Sequence, residues 1–284
     1  MFLPHKILEE KLLRILAEDL GQGDITTFII VPEESVAEAK VIAKDSGVIC
    51  GIEEARILSE SLGLKTQALV RDGQKISSLQ VLLKISGKTR TILSTERTLL
   101  NLISRMSGIA TVTRKLVEEI RKNRLETKVA CTRKTAPGLL YFDKKAVLVG
   151  GGDTHRLHLD NMVLIKDNHI KIAGNLKKAV EVAKSNVSFS QRIEVEITEV
   201  EDVITAAKAG VDIIMFDNFS LKKIEKAIRL LKKMHLREKV LLEASGGITK
   251  ENFLQYALTG VDIISLGEIT HSAKALDISL EITK

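Results

Sequence analysis

The chain has 284 residues, 44% of them apolar and 28% charged, with a formal net charge of +6, two Tyr and no Trp. This composition supports a sizeable core and excludes a disordered chain or a membrane-spanning class. The modest cation excess permits a nucleic-acid partner without arguing strongly for one, and with no Trp and two Tyr base stacking has little to work with.

A helix is predicted over about Lys6 to Asp19, where Ile7, Leu8, Leu12, Leu13, Ile15 and Leu16 gather on one side. The turn Gly21-Gln22-Gly23-Asp24 follows, and Thr26-Thr27 leads into short β-like runs. Strands are predicted at Ala39 to Ile49, Thr66 to Val70 and Val81 to Ile85, with a turn at Arg71-Asp72-Gly73-Gln74. A helix from Glu53 to Ser61, closed by Gly63, lies between the first two. A longer helix is predicted from Ser94, as N-cap, to Ser107, ending before Gly108. Residues 1–108 thus read as an α+β sandwich domain whose one chemically suggestive residue is Arg97.

From about Thr127 the rhythm changes. Short apolar runs at Lys128 to Ala130, Met162 to Ile165, Ile193 to Ile197, Ile213 to Phe216, Val240 to Leu242 and Ile263 to Leu266 alternate with helical stretches. Those helices are predicted at Asn175 to Lys184, Glu199 to Lys208, Ser220 to His235 and Lys250 to Leu258. Strands alternating with helices imply a parallel sheet. An internal echo supports this: Ala209-Gly210-Val211-Asp212-Ile213-Ile214 returns as Thr259-Gly260-Val261-Asp262-Ile263-Ile264. The strands end in Lys166, Glu196, Asp217, Ser245-Gly246-Gly247 and Gly267, as in a barrel that gathers chemistry on its carboxyl face. Residues 109–284 are therefore expected to form a parallel α/β barrel.

The chemistry concentrates between Cys131 and Ile170. Thr132-Arg133-Lys134-Thr135, His155-Arg156 and Lys166 sit beside glycines and at the ends of apolar runs, not on a helix face alternating with acids. Two Arg forks and a Lys point charge suit a small polyanion bearing carboxylates and phosphates. Glu194 and Glu196 share one strand face. Glu196 is the better catalytic or metal candidate, and Glu194 is as well explained by pairing with Lys166 or Arg133. Glu196 with Asp217 would suit Mg²⁺. Ser245-Gly246-Gly247, followed by a helix expected from Thr249, offers backbone N–H groups to a phosphate. His169 reads as a supporting residue, while His158 and His271 belong to no cluster. Cys50 and Cys131 fit no metal or disulfide spacing, and no segment has signal or membrane-spanning length, so a cytoplasmic protein is expected. Lys166 as the Schiff-base nucleophile of an aldolase, and a basic nucleic-acid binder, are the rival readings.

These stretches resemble the quinolinate phosphoribosyltransferase family. The likeness runs through Glu18 to Thr27, Glu96-Arg97-Thr98-Leu99-Leu100-Asn101, Ser107-Gly108-Ile109-Ala110-Thr111, Thr132 to Gly138, Gly150 to Arg156 and Leu164 to Ile170. It continues in Phe216-Asp217-Asn218-Phe219, Ala244 to Ile248 and Thr270-His271-Ser272. The resemblance implies an amino-terminal sandwich domain, a carboxyl-terminal open α/β barrel and a homodimer, and leaves room for a higher oligomer. It implies that Thr132, Arg133, Lys134, His155, Arg156 and Lys166 form the cationic pocket for quinolinate, with Arg97 supplied from the second copy. Glu196 and Asp217 would face the ribose of phosphoribosyl pyrophosphate and Mg²⁺. Ser245, Gly246, Gly247 and Gly267 would cradle the 5′-phosphate, with Lys166, Glu196 and Asp217 as the catalytic set. The implied reaction joins the pyridine nitrogen to the ribose C1, releases pyrophosphate, and loses the 2-carboxylate as CO2. Cys131, Leu140 and Thr154 depart from the family pattern. A molybdenum-associated paralogue with a different substrate is the alternative, and Ile165-Lys166-Asp167-Asn168-His169 favours the quinolinate enzymes.

Overall fold

The computed structural model describes residues 3–283. In chain order the first elements are α1 (His5–Leu20), α2 (Ile25–Ile30), β1 (Val36–Ala43), β2 (Gly47–Val48), α3 (Ile52–Ser61), β3 (Lys65–Ala68), β4 (Lys75–Ile76), β5 (Val81–Lys88) and α4 (Thr89–Lys122). Then come β6 (Lys128–Cys131), α5 (Leu140–Gly150), β7 (Val163–Ile165), α6 (Asp167–Ala173), α7 (Leu176–Asn186), β8 (Ile193–Ile197), α8 (Asp202–Ala209) and β9 (Ile213–Asp217). The last are α9 (Leu221–Lys233), β10 (Leu241–Ser245), α10 (Phe253–Leu258), β11 (Ile263–Leu266), α11 (Glu268–His271) and β12 (Ile278–Ile282). Two compact units result. One holds the chain up to Arg114 with Tyr141–Gly151 and the segment from Ser272; the other holds Lys115–Leu140 and Gly152–His271. Compactness thus does not follow one cut after Gly108, because two later segments return to the first unit.

The first unit is built on an antiparallel sheet of order β12-β1-β5-β3. Alternation along β1 buries Ala37, Ala39, Val41 and Ala43 on one face. They join Leu82, Leu83 and Ile85 of β5 and Leu99, Leu100 and Ile103 of α4 in one apolar core. The predicted strand Ala39 to Ile49 is in fact two, because β1 ends at Ala43 and β2 pairs with β4. The run after Thr26-Thr27 begins as a helix, with the Asp24 carboxylate accepting the Thr27 N–H at 3.0 Å as its N-cap.

The helix predicted over Ser94 to Ser107 is one 34-residue helix that runs straight through Gly108. Ser94 is no cap; its hydroxyl donates to Asp24 Oδ2 at 3.1 Å. Gly108 is a packing residue, since a Cβ there would come within 2.1 Å of the Lys274 carbonyl oxygen. The helix α5 lay outside the predicted elements because Asp143, Lys144 and Lys145 are buried on it, which hides the apolar period. Asp143 accepts both nitrogens of the Arg105 fork at 2.7 and 2.8 Å. Lys145 sits among Glu53, Glu54 and Asp72.

The second unit carries a parallel six-stranded sheet of order β6-β11-β10-β9-β8-β7, curled into the expected open barrel. Asp153 extends the free edge of β6 by a single parallel bridge to Ala130. Ile193, Val195, Ile197, Ile214, Phe216, Leu242, Ala244, Ile264 and Leu266 are buried along these strands. Val203, Ala206, Ile224, Ala227 and Leu231 supply the buried faces of α8 and α9. Strand β10 runs three residues beyond the predicted Leu242. The helix expected from Lys250 starts at Phe253.

Candidate active site

Because strand side chains alternate, each strand of the barrel offers every second residue to its interior. Cys131 of β6, Leu164 of β7, Glu196 of β8, Met215 and Asp217 of β9, Glu243 and Ser245 of β10, and Ser265 of β11 line one cavity of about 450 Å³. The segments that follow the strands complete it with Thr132, Arg133, Lys134 and Lys166, together with His155 and Arg156 from the turn before β7. The cations predicted from sequence therefore meet in one place. Arg97 does not line this cavity and lies exposed on α4.

The rim is cationic. Arg133 and Lys134 are exposed, and Lys166 is about half exposed while pairing with Glu196 at 3.5 Å. Burial pushes Glu196 above the usual carboxylate range; Lys166 opposes that shift and the charge of Asp217 adds to it. Burial also pushes Arg156 down from the usual guanidinium value, and Arg133 adds its repulsion, while Glu194 opposes both. A pocket whose cations repel one another is suited to an anion. The backbone at Lys134 is held from α11, since its carbonyl accepts the Thr270 hydroxyl at 2.7 Å. His169 supports Lys166 by accepting its backbone N–H at 2.9 Å.

At the end of β10 the chain turns through Gly246 and Gly247 at φ +82° and +61°. A Cβ on Gly246 would lie 2.5 Å from Asn218 Oδ1 and 2.8 Å from Asn218 N, so only glycine fits. The helix expected at Thr249 is not there. A turn in which Asn252 accepts the Thr249 N–H at 2.8 Å, and donates to the Gly247 carbonyl at 3.1 Å, precedes α10. The anion-binding capacity of this corner therefore lies in its positive-φ backbone, not in a helix end. Gly267 is tight as well, with a Cβ there meeting the Lys134 and His271 side chains at 3.1 Å.

Glu194 does not pair with Lys166 or Arg133. Its carboxylate lies 3.3 Å from His155 Nε2, and the same nitrogen lies 3.1 Å from Glu243. Burial pushes Glu194 above its usual value, the nearby His155 pulls it back, and the charge of Glu243 pushes it up again. The sequence reading passed over Glu243, although it stands two residues before Ser245 on the same strand face. The alternation that paired Glu194 with Glu196 applies to it equally. Cys131 is fully buried with its thiol donating to the Thr154 carbonyl at 3.5 Å, as a small residue at a strand end. Leu140 is absent from the cavity lining.

Residues 24–107 match the N-terminal domain of quinolinate phosphoribosyl transferase, and residues 109–281 match its C-terminal domain. The chain is 43% identical over 284 residues to a probable carboxylating nicotinate-nucleotide pyrophosphorylase of Methanocaldococcus jannaschii, covering 98% of this chain and 99% of that one. It is 37% identical to the carboxylating nicotinate-nucleotide pyrophosphorylase of Dictyostelium discoideum, covering 99% and 98%. The solved structure of the nicotinate-nucleotide pyrophosphorylase from Francisella tularensis superposes with a TM-score of 0.90 at 39% identity, over 99% of this chain and 98% of that one. With both halves matched and relatives aligned end to end, the chain belongs to the quinolinate phosphoribosyl transferase family.

Proposed function

We propose that this protein transfers the phosphoribosyl group of phosphoribosyl pyrophosphate to quinolinate with decarboxylation, giving nicotinate mononucleotide, pyrophosphate and CO2 for de novo NAD synthesis. The observation that carries this reading is the convergence of Arg133, Arg156 and Lys166 with the glycine corner at Ser245-Gly246-Gly247 in one cavity. That is a dicarboxylate clamp and a phosphate cradle side by side. The relatives described above carry the carboxylating name, which favours this activity over that of the molybdenum-associated paralogue.

In this reading the Arg133 and Arg156 forks grip the two carboxylates and turn the pyridine nitrogen toward the ribose C1. Lys134, His155 and Lys166 complete the cationic pocket around the carboxylates, and Ser245, Gly246, Gly247 and Gly267 receive the 5′-phosphate. Glu196 and Asp217 offset the positive charge that develops on the ribose ring as pyrophosphate departs. The quaternised ring nitrogen then stabilises the electron pair left at C2 when CO2 leaves. Glu196 and Asp217 also fit Mg²⁺, being two hard oxygen donors near enough for the charge of one to shift the other. Bound there, the ion would neutralise charge on the departing pyrophosphate. Arg97, exposed and outside the cavity lining, suits a residue supplied from the second copy of a homodimer. A cytoplasmic location accords with Cys50 and Cys131, both buried and outside any disulfide.

The test is an assay of the purified protein with phosphoribosyl pyrophosphate, Mg²⁺ and either quinolinate or nicotinate, following nicotinate mononucleotide and CO2. Product from quinolinate alone is expected. Equal turnover of nicotinate, or no product from quinolinate, overturns the reading. A second expectation concerns the cradle. In Gly246→Ala the corner must shift off Asn218, with strain of about 1–3 kcal/mol. The melting temperature should fall and the KM for phosphoribosyl pyrophosphate should rise, while calorimetric binding of quinolinate stays as in the parent.

A further inference from the structure

Beside His155 of the cationic pocket lie two carboxylates, Glu194 and Glu243, to which the proposed chemistry gives no role. Glu194 and Glu243 are both fully buried. His155 Nε2 reaches Glu243 Oε2 at 3.1 Å and Glu194 Oε2 at 3.3 Å. On the other side of the ring, the backbone N–H of Arg156 donates to Nδ1 at 2.8 Å. His155 itself sits at φ +52°, a conformation that residues with a side chain rarely adopt, so the surroundings must hold it there. Part of the hold is Asp153, whose carboxylate accepts the His155 N–H at 2.8 Å. The Thr154 hydroxyl adds to it by donating to the His155 carbonyl at 2.9 Å, and the ring contacts add the rest.

The ring's protonation follows from its neighbours. Burial opposes a charge on the imidazole, but the Glu194 and Glu243 carboxylates outweigh it and push the ring up to about 10, toward the charged form. The Arg156 N–H, donating to Nδ1 at 2.8 Å, stands against a second ring proton and fixes the state in this geometry, because a peptide N–H always donates. Nδ1 is therefore an acceptor, and the ring keeps its one proton on Nε2. His155, Glu194 and Glu243 converge closely enough to enclose a cation. A protonated Nε2 has no lone pair for a metal, so the cluster is a hydrogen-bond relay and not a metal site. Its acceptor is Glu243, which also faces the cavity. Neither oxygen of Glu194 completes a hydrogen bond, and its part is the negative charge beside Arg156.

We infer that Glu243 is a positioning residue for the dicarboxylate site, fixing the His155 ring through Nε2–H so that Nδ1 fixes the backbone of Arg156. This rests on the quinolinate-binding role proposed above for Arg156. Without Glu243 the Nε2 proton turns to Glu194, and the ring draws Nδ1 away from the Arg156 N–H. The guanidinium then loses its aim at a carboxylate while the phosphate corner is untouched.

The experiment pairs long-range ¹H–¹⁵N correlation of the His155 ring in the ligand-free protein with calorimetric titration of quinolinate, on wild type, Glu243→Leu and Glu243→Gln. The wild-type ring should show Nε2 protonated and Nδ1 bare. Glu243→Leu should shift the ring signals and weaken quinolinate about tenfold or more, as for a lost hydrogen bond to a charged group. The KM for phosphoribosyl pyrophosphate should stay within about twofold, on the additivity expected of separate sites. Glu243→Gln, which keeps an acceptor oxygen, should retain the wild-type ring signals and most of the affinity. If Glu243→Leu does not fold, Glu243→Ala is the substitute with the same expectations. A wild-type ring protonated on both nitrogens, unchanged ring signals without Glu243, or equal weakening of both substrates would overturn the inference. If wild type binds no quinolinate while the ring behaves as described, the proposed function fails and the relay stands.

Discussion

Arg156→Ala is expected to lower kcat/KM for quinolinate by about 2–5 kcal/mol, roughly 30-fold to a few thousand-fold. The substitution leaves one substrate carboxylate inside the cavity without its planar fork, and the loss is that of an unpaired charge, not of one surface contact. Arg133→Ala should follow in kind but fall short in size, because Arg133 stands exposed at the rim while Arg156 is half-buried beside Glu194. Water can replace part of what Arg133 supplies. Lysine in place of Arg156 should restore charge without the two-pronged geometry and recover only part of the rate. Steady-state kinetics on the three variants checks this, and an Arg156→Ala enzyme with wild-type kcat/KM would remove the carboxylate clamp from the mechanism.

Lys145→Met is expected to reduce the unfolding free energy by about 3–5 kcal/mol at neutral pH, the range for breaking a buried ion pair from one side. Lys145 contacts Glu54 at 2.8 Å and Asp72 at 3.8 Å, and it also pairs with Glu53. Glu54 is wholly buried, and Asp72 spends its Oδ1 on the N–H groups of Gly51 and Ile52 at the start of α3. Burial already pushes both carboxyls above their usual values of 4.5 and 3.8, with Lys145 pulling them back. Without the lysine they rise further. A carboxyl with a raised folded-state value binds its proton more tightly folded than unfolded. Its penalty therefore grows as pH rises through that window and fades as pH falls toward the ordinary carboxylate values. The deficit of the variant should shrink on acidification, and urea unfolding at a series of pH values measures it. A deficit that grows toward acid would contradict this account of the cluster.

The barrel was the most legible part of the chain. Buried parallel strands are continuous apolar runs, and those at Ile193 to Ile197 and Ile263 to Leu266 fall where the sequence placed them, each ending in its functional group. The sandwich was less legible. Strand β12, at the far end of the chain, pairs with β1 from Ala39↔Ile282 to Ala43↔Ile278, a contact that no local pattern announces. Gly108 reads as a stop by propensity, yet the close approach of Lys274 makes it a packing requirement inside a long helix. Buried charges obscured α5 in the same way, since Asp143, Lys144 and Lys145 interrupt the buried apolar residues Phe142, Ala146 and Val147.

The sequence by itself determined the order of elements in the second half, the cationic character of the site and the identity of most residues that line it, because these depend on local periodicity and on groups adjacent in the chain. Only the tertiary structure decided the partners. It separated Glu194 from Lys166, joined it with Glu243 and His155 across 88 residues of chain, and left Arg97 outside the cavity lining. Pairing in a closed-packed interior is set by which side chains the curled sheet brings within about 3 Å of each other, where burial makes an unmatched charge expensive. Spacing along the chain carries no record of that distance.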